Sequence, residues 1–171
     1  MTTKFSFFLL LSLLLHAQLV APIDHNIQLV LSRRGYSAVA LTLSLMSHPL
    51  LPESGNWTMF CAPDHAFSLS KYGQPPLMLL EYQVARHRLT IEDLSALPAG
   101  TKFQTRYFAH YLVLTEWEGV YNFSLNGVEI TEPNLYDDGH IILHGVMGFM
   151  EPTFPGAAEC MTCEGETPIG I

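Results

Sequence analysis

The sequence predicts an α+β domain, on three observations. In the N-terminal third, apolar residues recur every three to four positions, at Ile27, Val30, Leu31, Ala38, Leu41 and Leu45, the spacing of a helix with one buried face. From Thr101 onward the apolar runs are instead short and rich in β-branched and aromatic residues. Between two of those runs stands Asn126-Gly127, a dipeptide that favours a two-residue hairpin because both residues tolerate positive φ. Helices first and strands later, within roughly 130 residues, argue for segregated helices and sheet rather than alternating βαβ units.

In chain order, the spacing predicts helix from Ile23 to Leu45, broken near Gly35. His48-Pro-Leu-Leu-Pro-Glu-Ser-Gly55 reads as a loop, because two prolines and a glycine interrupt any regular element. Trp57 to Cys61 reads as a strand. Asp64 fits an N-cap for a short helix through Phe67, since its carboxylate can accept the free amides of a first turn. Pro75-Pro76 opens a helix over Leu77 to Ala85, proline being tolerated in the first turn. Thr90-Ile-Glu-Asp-Leu94 begins another, with a threonine cap and an acidic first turn, ending near Pro98-Ala-Gly100. Strands follow at Tyr111–Thr115, Tyr121–Leu125, Val128–Thr131 and His140–His144.

The first residues have a different character. Lys4 precedes an apolar stretch of 11 residues, Phe5 to Leu15, and small residues follow at Ala17 and Ala21. That is the pattern of a secretory signal peptide, cleaved after Ala17 or Ala21. It is well short of the roughly 20 residues a membrane-spanning helix needs. The expected organisation is a signal peptide over 1–21, one domain over 22–151, and a short acidic cysteine-containing tail over 152–171. The C-terminus lacks the hydrophobic tail of a lipid-anchor signal, so no membrane anchor is expected after signal cleavage.

Charge excludes one class of partner. The net charge is −8, and about −9 once the leader is removed, and the few basic residues are scattered. Such a surface repels phosphate backbones, whose binding depends on clustered Lys and Arg. Nucleic acid is not a partner. Asn56-Trp-Thr58 and Asn122-Phe-Ser124 are both N-glycosylation acceptors, which belong at exposed positions of an exported chain.

Several residues invite chemistry, and each has a plainer reading. His140 and His144 suggest a metal pair, but Ile-Ile-Leu between them reads as strand. Four strand residues separate the two by about 13 Å, too far for one zinc with bonds near 2 Å. His144 then reads as a hydrogen-bonded core histidine beside a Gly145 turn, and His140 as surface. Cys160 and Cys163 could form a redox pair, but Glu159 and Glu164 flank them and raise thiol pKa. A structural disulfide between them fits an oxidising compartment better, leaving buried Cys61 unpaired; a bridge from Cys61 to the tail is the alternative. Asp137-Asp138 reads as a solvated turn before Gly139, because neighbours on a strand point to opposite faces. Asp64-His65 lacks an accompanying nucleophile elbow, so capping accounts for Asp64 better than a catalytic triad. Tyr107, Phe108, Tyr111, Trp117, Tyr121 and Phe123 read mostly as core or sheet-face residues, with a minority forming a carbohydrate-stacking patch. No cofactor motif is present.

Three segments in order carry a resemblance. Thr58-Met-Phe-Cys-Ala-Pro-Asp-His-Ala-Phe67 is similar to the first signature of a fasciclin (FAS1) domain, with its proline moved by one place. Leu80-Glu-Tyr-Gln-Val84, Leu89-Thr-Ile-Glu-Asp-Leu94 and Leu97-Pro-Ala-Gly-Thr101 resemble the middle motif and helix. Val128 to Met150, including Asp138-Gly-His-Ile-Ile-Leu-His-Gly-Val-Met-Gly-Phe149, resembles the second signature. The likeness covers roughly residues 23–151 and is best with the plant fasciclin-like arabinogalactan proteins.

The resemblance implies helices packed on a mostly antiparallel β-wedge, with Phe60, Phe67, His144 and Gly145 in structural roles. It also implies a secreted, non-catalytic adhesion glycoprotein of the cell wall or extracellular matrix. Its partner would be a cell-wall polysaccharide, an extracellular glycoprotein or a second copy, met by loops around Asp64-His65, Tyr82-Gln83 and Glu132, Asn134 and Tyr136. Two departures stand out. Gln83 replaces the histidine of the middle motif, and Asn134 puts an amide where animal members carry a carboxylate for integrin recognition. A neutral amide cannot replace that charge at a metal ion. No Pro/Ala/Ser/Thr-rich stretch is present, which argues against heavy arabinogalactan decoration. The competing readings are a secreted hydrolase or thiol redox enzyme using Asp64, His65 or the tail cysteines, and a structural wall protein whose attached glycans do the binding.

Overall fold

A computed structural model describes residues 25–152, apart from 53, 70–74 and 117. The segment expected to be a signal peptide and the tail with Cys160 and Cys163 lie outside the described residues, as do the bounds expected for the domain at residue 22 and for cleavage.

Two antiparallel helices come first, α1 (His25–Arg33) and α2 (Ser37–Leu50). The break between them falls where the sequence puts it. Gly35 takes φ +85, and Tyr36 N–H returns to the Leu31 carbonyl at 3.0 Å, closing the last turn of α1 in a Schellman arrangement. Helix α2 kinks at Met46 (φ −132, ψ 25), next to the expected end at Leu45, and a further helical turn carries it to Leu50, so the loop expected from His48 begins later.

Strand β1 (Trp57–Cys61) follows, then α3 (Asp64–Leu69), α4 (Leu77–Tyr82), β2 (Val84–Ala85) and α5 (Ile91–Ala96). The helix expected to reach Ala85 stops at Tyr82, because Val84 and Ala85 pair with Met59 and Thr58 instead. Thr90 caps α5 as the sequence suggests. Its hydroxyl accepts from Asp93 N–H and the Asp93 carboxylate accepts from Thr90 N–H, a complete capping box.

The remaining strands are β3 (Lys102–Gln104), β4 (Tyr111–Glu116), β5 (Phe123–Leu125), β6 (Ile130–Asp137) and β7 (Ile141–Val146). They form a four-stranded sheet in the order β2-β1-β7-β6 and a three-stranded one in the order β3-β4-β5. All pairings are antiparallel except β1 with β7, which run parallel in register from Trp57↔Ile141 to Cys61↔Gly145. The two signature segments of the sequence are therefore neighbours at the centre of one sheet.

Asn126-Gly127 makes its turn, with φ of 50 and 77, but the ladder it was expected to start stops at Leu125↔Val128. The Asn126 amide explains why. Its Oδ1 accepts from Val113 N–H at 2.7 Å, tying the turn back to β4. Strand β5 then stays with β4 and β6 leaves for β7.

The central sheet is buried on both faces, as parallel-paired strands usually are. Along β1, Trp57, Met59 and Cys61 pack with Ile27, Leu31, Val39 and Leu43 of the helix pair. Phe60 faces the other way, into a second core with Leu94, Phe103, Leu112, Leu114 and Leu125. Period-two alternation thus serves two cores from one strand. Gly145 on β7 sits in strand rather than in the turn expected for it. A Cβ there would meet Tyr36 Oη at 2.1 Å, so glycine is needed for close approach.

Candidate functional site

The side chains singled out from sequence divide into buried struts and exposed surface. Asp64 is a strut, but for a different helix. It stands inside α3 rather than ahead of it, and its Oδ1 accepts from Ala38 N–H at 2.8 Å, capping the first turn of α2. In return, Asp64 N–H donates to the Gly35 carbonyl at 3.0 Å. His65, next to it, is exposed and lines a shallow depression of about 330 Å³ with Leu69, Phe149 and Glu151.

Tyr82 and Gln83 correct the expectation that they form a partner-facing loop. They are 2% and 1% exposed, so neither offers a surface. Gln83 Nε2 donates to the carbonyls of Leu79 (3.0 Å) and Met150 (2.8 Å), and its Oε1 accepts from Met150 N–H at 3.1 Å. The side chain thereby ties the end of α4 to the end of the second signature. Tyr82 donates to the Tyr111 carbonyl at 3.0 Å.

Glu132, Asn134 and Tyr136 lie on β6, a strand with two register shifts, not on a loop. Glu132 accepts from Arg34 Nη1 at 3.1 Å and from Tyr36 Oη at 3.2 Å. Burial, with the Glu132 carboxylate adding to it, pushes the Tyr36 phenol up to about 12. Asn134 takes φ +51, and its N–H donates to His144 Nδ1 at 3.0 Å. The Tyr136 hydroxyl donates to Asp138 Oδ2 at 3.4 Å.

His144 is fully buried, stacked on Phe60 with centroids 5.6 Å apart. Since Nδ1 accepts from Asn134, Nε2 carries the proton and donates to the Leu89 carbonyl at 2.8 Å. Burial holds its pKa below the usual histidine value, opposed by that carbonyl. Both ring nitrogens are engaged, while His140 lies exposed at the other end of the strand segment. Cys61 is buried and free among the described residues, and desolvation drives its thiol pKa far up. Asp137 pairs with Arg88, which holds its carboxyl below the usual range. Phe67 packs edge-on against Phe149, joining the two signatures. Among the described residues, no three His, Cys, Asp or Glu side chains are grouped to hold a metal ion.

Asn56 and Asn122, the asparagines of the two acceptor triplets in the sequence, are exposed, and each directly precedes a strand. Their hydroxyl partners are not exposed. Thr58 donates to the His87 carbonyl at 2.7 Å and accepts from Leu89 N–H at 2.8 Å. Ser124 shares a hydrogen bond of 2.7 Å with Thr115.

Sequence reasoning missed the close approach at Gly145, although a glycine inside a strand pattern is a signal for it. It also left the loop between β3 and β4 unread, where Ala109 takes φ +61. A single alanine gives no warning of that.

The first and last of the three resembling segments meet as the parallel pair β1 and β7. No protein-family model matches the chain. Fasciclin-like arabinogalactan protein 20 of Arabidopsis thaliana is 33% identical over 147 residues, 85% of this chain and 34% of that protein. Fasciclin-like arabinogalactan protein 21 of the same plant is 26% identical over 76% of this chain and 38% of that one. The chain therefore spans about a third of the length of the curated relatives it matches. Among solved structures, a FAS1 domain pair from the insect cell adhesion molecule fasciclin I aligns with TM-score 0.44 at 13% identity, over 77% of this chain and 48% of that one. The chain is fasciclin-like, as its three segments imply.

Proposed function

We propose that this chain is a non-catalytic extracellular adhesion or matrix module, binding a glycan or glycoprotein of the wall through its surface. The kinship with fasciclin-like arabinogalactan proteins along 85% of the chain carries the reading. The fate of the chemically suggestive residues supports it. Asp64 serves as a cap, His144 has both nitrogens occupied and Cys61 is shut inside. Secretion is part of the proposal and rests on the leader. No described helix is long and apolar enough to cross a membrane.

A second reading, in which attached glycans do the binding, is favoured by the exposure of both Asn56 and Asn122. One experiment separates the two. Purified secreted protein is applied to immobilised wall extract before and after enzymatic deglycosylation. Binding that survives supports the protein surface, binding lost with the sugars supports the second reading, and no binding in either state sinks both. Sugar sites are best removed at asparagine, because Thr58 and Ser124 are buried in hydrogen bonds and their loss would damage the fold. Asn122 takes φ +58, so Asn122→Asp is the gentler change.

A further inference from the structure

We propose that the outer face shared by β2, β3 and β4 binds a uronate segment of an acidic polysaccharide, with Arg86 and Lys102 on its carboxylates and Tyr111 against a sugar ring. The inference rests on the adhesion reading above and names the ligand class.

The backbone register puts these side chains on one surface. Ala85 bridges Thr105 in antiparallel fashion. Arg86 N–H donates to the Gln104 carbonyl at 2.9 Å, and Arg106 N–H to that of Val84 at 2.8 Å. Those two bonds flank the bridge, so Arg86 stands opposite Gln104. On the other side of β3, Gln104 pairs with Tyr111 and Lys102 with Val113. Arg86, Gln104 and Tyr111 therefore form one row across three strands, with neighbouring Cβ atoms about 5 Å apart. Lys102 shares their face because it lies two residues from Gln104 on the same strand. Exposure agrees. Ala85, Phe103, Thr105 and Leu112 point inward and are buried, whereas Arg86, Lys102 and Tyr111 are exposed.

The two cations are placed and available. Arg86 Nε donates to the Thr105 carbonyl at 3.1 Å, which fixes the guanidinium against β3 and leaves its terminal nitrogens as a fork for a carboxylate. Neither Arg86 nor Lys102 is ion-paired among the described residues, unlike Arg34 with Glu132 and Arg88 with Asp137. Arg106 is packed over the Trp57 ring at 5.4 Å and is not one of the contacts.

Local charge, not the net charge of the chain, selects the ligand. Residues 82–91 and 97–115 contain no Asp or Glu, although the whole chain stands at −8. A carboxylate on this face lies within a Debye length of the two cations, about 10 Å at 0.1 M salt, while more distant acidic surface is screened. A nucleic acid, charged at every phosphate, would need more cations than these. Gln104 and Tyr111 favour a sugar over an acidic peptide. Between Arg86 and the ring, the amide offers a donor and an acceptor to hydroxyls, and the phenol face takes the C–H side of a pyranose.

The test is calorimetric titration of the full secreted glycoprotein with a galacturonate hexaose, beside a neutral galactose hexaose and hexaglutamate. Saturable binding of the uronate alone is expected, weakening about tenfold when salt rises from about 50 to about 500 mM. Lys102→Gln and Arg86→Gln should each weaken it about fivefold, the upper range for an exposed ion pair. Tyr111→Ser should cost a similar factor. The Lys102 side chain has no partner within the described chain, so its loss of binding cannot be a loss of structure. Arg33→Gln removes the same unit of charge from the exposed end of α1 and should change nothing. Wild-type affinity in Lys102→Gln and Arg86→Gln overturns the proposal. An equal loss in Arg33→Gln does so too, assigning the binding to overall charge. Equally tight binding of the neutral hexaose or of hexaglutamate overturns the uronate assignment. Failure of the uronate while wall extract still binds overturns the proposal and leaves the adhesion reading standing. Failure on the extract as well removes that reading with it.

Discussion

Gln83 is the residue whose identity the structure explains most fully. One buried amide satisfies the carbonyl of Leu79 and both the carbonyl and the N–H of Met150, which lies 67 positions further along the chain than Gln83. An imidazole, the group this position carries in the family pattern it resembles, has only two ring nitrogens and cannot make all three bonds. Gln83→Ala would leave the Leu79 and Met150 backbone groups buried without this partner. Net hydrogen bonds run near 1 kcal/mol and orphaned buried groups cost more, so a loss of about 2–4 kcal/mol is expected. Urea denaturation would show it as a lower midpoint at unchanged m-value. A loss below about 0.5 kcal/mol would mean that water replaces the amide and the strut is dispensable. The sequence suggested a surface role here, because a motif position says nothing about which way the side chain points.

At the scale of elements, local signals were legible and non-local ones were not. Thr90 and Asp93 lie three apart and close their capping box within one turn, so the residues alone suffice. Gly35 likewise ends α1 with bonds that span five residues. Asp64 differs. Its residue type was read rightly as a cap, yet the amide it meets, Ala38, lies 26 residues away on α2. Short β2 is also decided by partners far along the chain, Met59 and Thr58, whereas β6 leaves β5 for the strand that directly follows it, β7. The two assignments for Asp64 predict different damage. Asp64→Ala should cost about 1 kcal/mol, with Asp64→Asn costing less because an amide oxygen still accepts. Amide exchange should rise in the first turn of α2, at Ala38 and its neighbours. If exchange rises in α3 instead, the cross-helix cap is wrong.

For the molecule as a whole, the two cores meet at one sheet, and His144 lies on the strand that closes it against β1. Its neutral form is built into that position. Protonation would add a hydrogen at Nδ1, which already faces the Asn134 N–H, and would place a charge against Phe60 where solvent is absent. The folded pKa is therefore below that of the unfolded chain, near 6.5. The unfolded state binds the extra proton first, so stability is full above about pH 6.5 and declines as the pH falls toward the folded value. The slope from one such group cannot exceed about 1.4 kcal/mol per pH unit. Asp93 and Asp137, whose folded pKa values are depressed, lose their contributions only in a lower window, as pH falls through the carboxylate range. Unfolding midpoints measured between pH 7.5 and 5 should thus fall in the wild type and stay flatter in His144→Gln, at whatever lower baseline that variant has. Parallel curves for the two proteins would show that the acid sensitivity lies outside His144, and that the ring's neutrality does not govern how the two halves of the fold hold together.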